Sequence, residues 1–341
     1  MANFAITGVA GYIAPRHLQA MKEVGGELVA AVDPHDSVGI LDSYFPTAAF
    51  FTEFERFDRH VEKLRRLPSS DQVHYLSICS PNHLHDAHIR LALRIGASAI
   101  CEKPLVVNPW NLDALAELEA ESAGRVHTIL QLRVHPKLLA LRERLASEPG
   151  RRRQVRLTYI TARGTWYRYS WKGNADKSGG VATNIGIHFF DLLLWLFGRV
   201  ERSEVHLSEP ERLAGGIELA NADVDWFLSV NERDLPQGRA DGQPTYRSIT
   251  IDGEEIEFSG GFRDLHTRIY EEILAGRGFG IEDARPSIEL VHEIRRAPAV
   301  KPQLAVHPML TQLQTRRRGG SISASNRPGG SDLPLTVESK G

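Results

Sequence analysis

Short apolar runs alternate with amphipathic segments over the first 135 residues of the chain. Five runs have the length and composition of buried strands: residues 4–8 (FAITG), 28–33 (LVAAVD), 75–80 (YLSICS), 98–103 (SAICEK) and 127–132 (HTILQL). Between them, apolar residues recur every three to four positions, as in 15–25 (PRHLQAMKEVG) and 85–96 (HDAHIRLALRIG). That spacing predicts helices. Repeated strand, helix and strand predict an α/β domain with a doubly wound parallel sheet and helices on both faces.

The pattern changes after about residue 135, where apolar and polar residues alternate with a period of two. Strands are predicted in four segments: QVRLTYITARGTWY (154–167), EVHLSE (204–209), DVDWFLSVN (223–231) and YRSITIDGEEIEFSG (246–260). The turn signal Asp252-Gly253 and this alternation predict a large, mostly antiparallel open sheet, and 286–297 predicts a late helix. We therefore predict a first domain over residues 1–134 and an α+β domain over 135–315. The Gly-, Ser- and Pro-rich segment 316–341 predicts a disordered tail.

Charge and apolar runs exclude several classes of function. The chain has 41 basic and 43 acidic residues with no long segment of one sign, which argues against a nucleic-acid or membrane-surface partner. The longest apolar run, 189–197, is interrupted by Asp191 and is too short to span a bilayer. The start MANFAITG lacks a leader pattern, so we expect a soluble, cytoplasmic protein. Cys79 and Cys101 have no metal-like spacing and are expected to be reduced core residues, and no metal site is predicted.

A glycine turn directly follows the first predicted strand. Gly8-x-x-Gly11-x-x-Ala14 would place free amides at a helix N-terminus, an arrangement that binds a dinucleotide pyrophosphate. An ordinary strand-to-helix turn is the alternative, because the fingerprint is imperfect. Asp33 ends the second strand, where a carboxylate can bind ribose hydroxyls and repel a 2′-phosphate. NAD is therefore preferred over NADP, unless Asp33 is only a turn residue before Pro34.

Polar residues also mark two later strand ends and one apolar segment. SPNHLH (80–85) and CEKP (101–104) follow predicted strands, at the edge where open α/β sheets bind ligands, although an isolated Lys103 there would usually be a solvated loop residue. In KSGGVATNIGIHFFDLLLWLFG (177–198), Asn184, His188 and Asp191 fall at offsets 0, 4 and 7 and line one stripe of a helix. A lone histidine there would more often be a satisfied core residue.

Together these motifs resemble the Gfo/Idh/MocA family of sugar dehydrogenases over roughly residues 3–300. The shared elements are the glycine turn, the strand-end S-P-N-x-x-H, the E-K-P, and a Gly-Gly pair followed by a histidine on a helix. Longer strings are similar to one branch, the WlbA/WbpB-type UDP-N-acetyl-D-glucosaminuronate 3-dehydrogenases of lipopolysaccharide O-antigen synthesis: GYIAPRH, SICSPNHLH, TYITARGTWY, GVATNIGIHFFD and RIYEEILAGRGFGIEDAR.

The resemblance implies an NAD-binding Rossmann domain, a substrate-binding and oligomerisation domain, and NAD-dependent oxidation of the C3 hydroxyl of UDP-N-acetyl-D-glucosaminuronic acid. His188 would be the base and Lys103 would orient the hydroxyl and favour alkoxide character. By analogy it implies a homotetramer, and some branch members reoxidise the cofactor with 2-oxoglutarate. Two alternatives stay open: a dehydrogenase of another sugar or polyol, and a non-catalytic NAD-binding regulator.

The resemblance also implies a set of contacts. The predicted cofactor contacts are Gly8, Gly11, Tyr12, Ile13, Asp33, Ser80, Pro81, Asn82, His85, Glu102, Lys103 and Gln131. The predicted substrate contacts are Lys103, Arg163, Tyr167, Lys172, Thr183, Asn184 and His188. For 162–173 an exposed β-hairpin with aromatic cross-strand pairs is the alternative.

One position departs from the family pattern. Several relatives carry an aspartate four residues before the histidine, whereas this chain has Asn184, which cannot form a carboxylate–histidine dyad. Asp191 either orients the imidazole or belongs to a structural network, and the structural role is favoured. Arg133, at the domain junction, either reaches the cleft or ties the domains together.

Overall fold

Two six-stranded sheets organise the part of the chain that the computed structural model describes, residues 1–148, 150–236, 244–256 and 264–315. The first sheet contains β1 (Asn3–Thr7), β2 (Glu27–Val32), β3 (Ala49–Phe51), β4 (Tyr75–Ile78), β5 (Ser98–Cys101) and β6 (Val126–Thr128). The second contains β7 (Arg153–Thr161), β8 (Val200–Glu209), β9 (Arg212–Leu219), β10 (Ala222–Ser229), β11 (Thr245–Ile251) and β12 (Glu254–Glu255). The helices are α1 (Ala14–Glu23), α2 (Ile40–Tyr44), α3 (Phe54–Leu64), α4 (His85–Arg94), α5 (Trp110–Ala120), α6 (Pro136–Ala146), α7 (Thr165–Tyr169), α8 (Ala175–Ser178), α9 (Ile187–Phe197), α10 (Leu265–Leu274), α11 (Ile281–Arg296) and α12 (308–315).

The first sheet is parallel throughout, in the order β3-β2-β1-β4-β5-β6. Every residue of β1 is buried, as expected for a strand covered by helices on both faces. The chain reverses its direction of winding between β1 and β4, so the carboxyl ends of these strands leave a crevice. The predicted doubly wound domain is confirmed. Strand β3 escaped prediction because three residues are too few to show a period.

The second sheet has the order β12-β11-β7-β10-β9-β8 and is antiparallel except for the β7/β10 pair. This confirms the predicted mostly antiparallel sheet. Because side chains alternate along a strand, one face of the sheet is apolar and packs on α9. The ring of Phe190 lies 5.3 Å from that of Trp226, and the ring of Phe189 lies 4.7 Å from that of Tyr159.

Two segments differ from their predicted structure. ARGTWY does not continue a strand: β7 ends at Thr161, and after Gly164 the chain turns into α7, so the β-hairpin alternative is wrong. The late helix begins at Ile281, five residues earlier than predicted, because the side chain of Asp283 accepts from the N–H of Gly280 at 2.9 Å and closes the first turn. The predicted strand residues beyond 256 and the predicted tail 316–341 lie outside the described residues.

One segment is long and apolar enough to cross a membrane by length and composition, Ala175–Phe197. Within the fold, 72% of the most apolar 18-residue stretch of this segment is buried. Its last 11 residues are α9, which packs between the second sheet and α11. Its apolar composition is therefore that of a core helix.

Helix α10 joins the two parts of the chain. Although it follows the second sheet in sequence, it packs on α1 of the first domain. Its Tyr270 lies against the ring of Phe4 at 5.7 Å and makes a 2.8 Å hydrogen bond with Nδ1 of His17. The late part of the chain thus completes the first domain, and the boundaries 1–134 and 135–315 stay a prediction.

A buried ion pair fixes α9 against the domain junction. The guanidinium of Arg133 donates to both carboxylate oxygens of Asp191, at 2.7 and 3.0 Å, and to Oδ1 of Asp283 in α11 at 3.0 Å. Burial raises the pKa of Asp191, and the hydrogen bonds from Arg133 oppose that shift. Asp191 lies one helical turn beyond His188, too deep to reach the cleft, so the geometry supports its structural interpretation. Arg133 likewise ties the domains together.

We predict that Arg133→Leu lowers the free energy of unfolding by about 3–5 kcal/mol, because it leaves the Asp191 carboxylate buried without its partner. The double variant Arg133→Leu/Asp191→Leu should recover most of that loss. Urea unfolding followed by circular dichroism measures both. As a control, Arg90→Leu removes only the surface pair with Asp86 and should cost at most about 1 kcal/mol. Equal losses in the Arg133 and Arg90 variants would contradict the prediction.

Candidate active site

The glycine loop brings bare backbone to the carboxyl end of β1. Gly8 has φ +76°, and its N–H donates to the carbonyl of Val32 at 2.8 Å. A Cβ on Gly8 would lie 2.6 Å from the carbonyl of Cys79, and a Cβ on Gly11 would lie 2.9 Å from the carbonyl oxygen of Gly8. Helix α1 begins three residues after Gly11. The loop therefore has room only for backbone, which suits the close approach of a pyrophosphate to a helix N-terminus.

The carboxylate of Asp33 is held rigidly beside this loop. Its Oδ2 accepts from the N–H of Ala10 at 3.0 Å and its Oδ1 accepts from the N–H of His35 at 2.9 Å. A fixed anion there can bind ribose hydroxyls and repels a 2′-phosphate. Further along the cleft, Oε1 of Gln131 is buried with no hydrogen-bond partner among the described residues and is available to a ligand. The residues present thus fit NAD.

A cleft of about 1230 Å³ runs from the glycine loop to the second sheet. All of the predicted cofactor contacts line it: Gly8, Gly11, Tyr12, Ile13, Asp33, Ser80, Pro81, Asn82, His85, Glu102, Lys103 and Gln131. Of the predicted substrate contacts, Lys103, Arg163, Lys172, Asn184 and His188 line it.

Two predicted substrate contacts do not line the cleft. Tyr167 lies behind Asn184, and its hydroxyl accepts from the Asn184 side chain at 3.1 Å. Thr183 is fully buried beneath Gly179, where a Cβ on the glycine would lie 2.6 Å from the threonine Oγ1. The reason is the π-helical turn over Ala182–Gly186, which directs consecutive side chains to different sides. Tyr167 therefore holds the side chain of Asn184, which itself lines the cleft. Thr183 lies under the pair Gly179-Gly180.

The sequence pattern missed several lining residues. Tyr159 and Thr161 alternate along β7 and lie on the same side of the sheet as the predicted Arg163, which follows just beyond the strand. Strand β11 pairs with β7 so that Arg247 lies opposite Tyr159, with its guanidinium 5.9 Å from that ring. Trp171 and Arg16 also line the cleft. Alternation was visible in the sequence, but only the strand register shows that Arg247 reaches the same space.

The S-P-N-x-x-H segment builds the cleft wall by bonding to other loops. Nδ2 of Asn82 donates to the carbonyl of Ser178 at 2.9 Å. The imidazole of His85 bridges two backbone carbonyls, those of Pro104 at 2.7 Å and Ser80 at 2.9 Å, and burial lowers its pKa. These polar groups already have protein partners. Asn82 and His85 therefore set the shape of the wall that the cofactor would contact.

Lys103 and His188 come together where the two domains meet. The Lys103–Pro104 peptide is cis, and Nζ of Lys103 donates to the carbonyl of Asn184 at 3.3 Å, one turn before His188. Burial lowers the pKa of Lys103, and the nearby carboxylate of Glu102 opposes that shift. Burial and the charge of Lys103 hold the pKa of His188 well below its usual range. A neutral imidazole therefore faces the cleft beside an ammonium, which suits proton removal from a hydroxyl.

Cations dominate the far wall of the cleft. Lys172, Arg163 and Arg247 line it together with Lys103. Burial and then Arg163 lower the pKa of Lys172, whose Nζ lies 5.5 and 5.6 Å from the ring centres of Trp166 and Trp171. The lining carboxylates, by contrast, are already bonded by protein groups. This charge distribution favours an anionic ligand.

Two models of one protein family match parts of the chain. The oxidoreductase family's NAD-binding Rossmann fold matches residues 2–129, and the C-terminal alpha/beta domain of the same family, Gfo/Idh/MocA, matches residues 151–228. The first match covers the glycine loop, Asp33 and Lys103. It confirms the prediction of NAD as cofactor.

Solved structures of one dehydrogenase are similar over nearly all their length. The chain is 56% identical to the WlbA (WbpB) dehydrogenase from Thermus thermophilus, solved in complex with NAD and alpha-ketoglutarate and in complex with NAD and UDP-GlcNAcA. Both comparisons have a TM-score of 0.85 and cover 89% of this chain and 97% of that chain. The proposed oxidoreductase subunit of UDP-kanosamine synthase from Amycolatopsis mediterranei (strain S699) is 33% identical over 217 residues, 63% of this chain. The matched region spans 58% of that relative's length.

We predict that Gly8→Ala weakens NAD binding by roughly tenfold or more, because the new Cβ collides with backbone that cannot move and shifts the loop. Isothermal titration calorimetry with NAD measures this. Gly25→Ala is the matched control, since Gly25 has a similar φ of +72° but open space around it. It should cost about 1 kcal/mol of stability and leave NAD affinity unchanged. Equal NAD affinities in both variants would contradict the prediction.

Proposed function

Because the chain belongs to the Gfo/Idh/MocA family of oxidoreductases, we propose that it oxidises the C3 hydroxyl of UDP-N-acetyl-D-glucosaminuronic acid to the 3-keto sugar, with NAD as hydride acceptor. One observation carries the proposal: the Lys103 and His188 pair shares its cleft with a wall of cations. The 56% identical dehydrogenase, solved with NAD and UDP-GlcNAcA, supports the choice of substrate.

The first domain supplies the cofactor site. The glycine loop and α1 would hold the pyrophosphate, Asp33 the adenosine ribose, and Gln131 and Glu102 the nicotinamide end. When bound, NAD supplies the hydride acceptor. The protein itself must position the sugar and move the hydroxyl proton.

Proton removal falls to His188. Its low pKa keeps the ring neutral near neutral pH, so it is ready to accept the proton of the C3 hydroxyl. Lys103 donates a hydrogen bond to the same oxygen and stabilises the negative charge that develops there. Asn184 cannot share the proton. Its amide bonds Tyr167, and its carbonyl holds the lysine ammonium.

The cationic wall would recognise the rest of the substrate. A sugar nucleotide of this kind carries a pyrophosphate and a carboxylate, which suit the guanidinium groups of Arg163 and Arg247 and the ammonium of Lys172. Trp171 offers an apolar surface beside these groups. The same cations would also bind a dicarboxylate, which supports 2-oxoglutarate as a reoxidant of the cofactor in the same cleft.

The wider setting follows from that substrate. We assign the enzyme to synthesis of a diacetamido-uronic acid for lipopolysaccharide O-antigen, in the cytoplasm, as a homotetramer formed through the second domain. An uncharged polyol is a weaker candidate, since it would leave the cationic wall without a counterion. A non-catalytic regulator would have no use for the lysine and histidine pair.

We predict that UDP-N-acetylglucosaminuronic acid incubated with the protein and NAD gives a product lighter by two hydrogens, detected by mass spectrometry. Addition of 2-oxoglutarate should raise the yield, because it removes the reduced cofactor. A matched reaction with UDP-N-acetylglucosamine, which lacks the carboxylate, should give little product. Unchanged sugar nucleotide in every reaction, with NAD bound, would overturn the substrate assignment.

We also predict that the rate falls on the alkaline side as Lys103 loses its proton. Since burial lowers the pKa of Lys103, this fall should begin below pH 10.5, its ordinary value. Lys103→Ala should retain NAD binding but lose roughly 10²–10⁴-fold in kcat, as expected when a catalytic group is removed. Lys177→Ala, which changes an exposed lysine outside the cleft, is the control. Wild-type turnover in Lys103→Ala would exclude the role of this lysine.

A further inference from the structure

A buried cluster of titratable groups lies directly behind Lys103, and two of its members, His17 and His266, have no part in the reaction described above. Oε1 of Glu102 lies 3.0 Å from Nε2 of His17 in α1 and 3.0 Å from Nε2 of His266 in α10. The other oxygen, Oε2, accepts from the backbone N–H of Lys103 at 3.3 Å. One carboxylate thus connects two helices to the backbone of the catalytic lysine.

The hydrogen bonds continue beyond His17 and define its tautomer. Because Nε2 must donate to the carboxylate, Nδ1 accepts from the hydroxyl of Tyr270 at 2.8 Å. Oγ of Ser77 then donates to that hydroxyl at 2.6 Å. Every polar atom along this chain has a partner, and burial lowers the pKa of His17, which keeps the ring neutral.

Two imidazoles and a carboxylate are also common metal ligands, and these three lie close enough to bind one ion. The distances favour hydrogen bonds. Both Nε2 atoms converge on the same oxygen at 3.0 Å, the normal length for N–H···O, and the second oxygen is used by Lys103. The two Nε2 atoms therefore bond the Glu102 carboxylate without an ion, while Nδ1 of His266 has no hydrogen-bond partner among the described residues.

The two histidines decide the charge of Glu102. Burial alone would raise the pKa of Glu102, but the hydrogen bonds from His17 and His266 hold it well below its usual range. Glu102 consequently remains an anion inside the protein. That anion is the one group that raises the pKa of Lys103, which burial, Lys172 and Arg163 lower.

We propose that His17 and His266 are positioning residues that act on Lys103 through Glu102, holding its carboxylate ionised and hydrogen-bonded to the backbone N–H of the lysine. Neither imidazole is among the side chains that line the cleft. The inference rests on the proposed function for its kinetic consequence, and on the hydrogen bonds of Glu102 to both histidines and to the Lys103 backbone for its effect on that lysine.

Other charged groups face this pair from each neighbouring element. Lys172 faces Lys103 from residues 171–173, Arg163 from the end of β7, and His188 from α9. Cys79 and Cys101 face Glu102 from the ends of β4 and β5. Burial raises the pKa of both thiols, so neither carries charge near neutral pH. Glu102 is thus the only anion among the described groups that act on Lys103.

The first test needs no substrate. The reactivity of Lys103 toward acetic anhydride, followed by peptide mass spectrometry from neutral to alkaline pH, reports the pKa of this lysine. In His266→Leu, Glu102 loses a donor and takes up a proton more readily, so the pKa of Lys103 should fall. Glu102→Gln should produce the same fall. The double variant His266→Leu/Glu102→Gln should show no further fall, because both changes remove the same charge.

Kinetics provide the second test. In His266→Leu, kcat on the alkaline side should fall by roughly tenfold with little change in KM, as when a group supporting a catalytic residue is removed. His266→Gln keeps an N–H donor and should restore most of this loss. His307→Leu is the matched control, since it removes an equally buried histidine from the far face of the second sheet.

Several results would overturn the proposal. Additive shifts in the double variant would show that His266 does not act through Glu102, and an unchanged Lys103 titration in His266→Leu would remove the effect itself. Stoichiometric metal in the purified wild-type protein, measured by plasma mass spectrometry, would make the histidines ligands instead. If labelling behaves as expected but the sugar nucleotide is not oxidised, the proposed substrate fails while the positioning role stands.

Discussion

The burial of α9 is the constraint on which the rest of the structure depends. The helix must be apolar to fill the space between the second sheet and α11, yet it has to carry His188 to the cleft. Two specific contacts hold α9 and the π-helical turn directly before it. Arg133 takes the carboxylate of Asp191, and Lys103 takes the carbonyl of Asn184. These contacts fix the axial position and the rotation of the helix. Both donors, Arg133 and Lys103, belong to the first domain.

The same burial sets the electrostatics of the reaction. Desolvation lowers the pKa of His188 and that of Lys103, but the consequences differ. For a base, a low pKa keeps the ring neutral and ready. For Lys103, which must stay charged, a low pKa is unfavourable, because it promotes loss of the proton. The nearby cations Lys172 and Arg163 lower the pKa of Lys103 further. A single ionised carboxylate, Glu102, offsets this effect, and the protein uses two buried histidines to keep that carboxylate charged. The anionic groups of a bound substrate would also raise the pKa of Lys103.

Sequence reasoning found the fold and much of the cleft because their signals are local. Glycine turns, strand ends and the apolar period each appear within a few residues, and Gly8, Asp33 and Lys103 lie where those signals placed them. What it missed depends on distant partners. Arg247 enters the cleft only because β11 pairs with β7 in a particular register, and His266 reaches Glu102 from a helix 164 residues away. Thr183 moved out of the lining because of a π-helical turn that no residue pattern reveals.

The two domains hold their cleft residues in different ways, and this difference bears on how the substrate specificity of such a protein can change. The elements that must be invariant for hydride and proton transfer are held by buried contacts: the glycine loop, the Glu102–Lys103 turn and α9. The cations that would select the substrate are Arg247 in β11, Arg163 just beyond the end of β7, and Lys172 in the turn at Trp171–Gly173. A change at Arg163 or Arg247 alters the charge of the wall and also the protonation of the catalytic pair, because Arg163 lowers the pKa of Lys103 and Arg247 lowers that of His188. Substitutions in this wall would therefore change the choice of substrate and, at the same time, the pH dependence of the reaction.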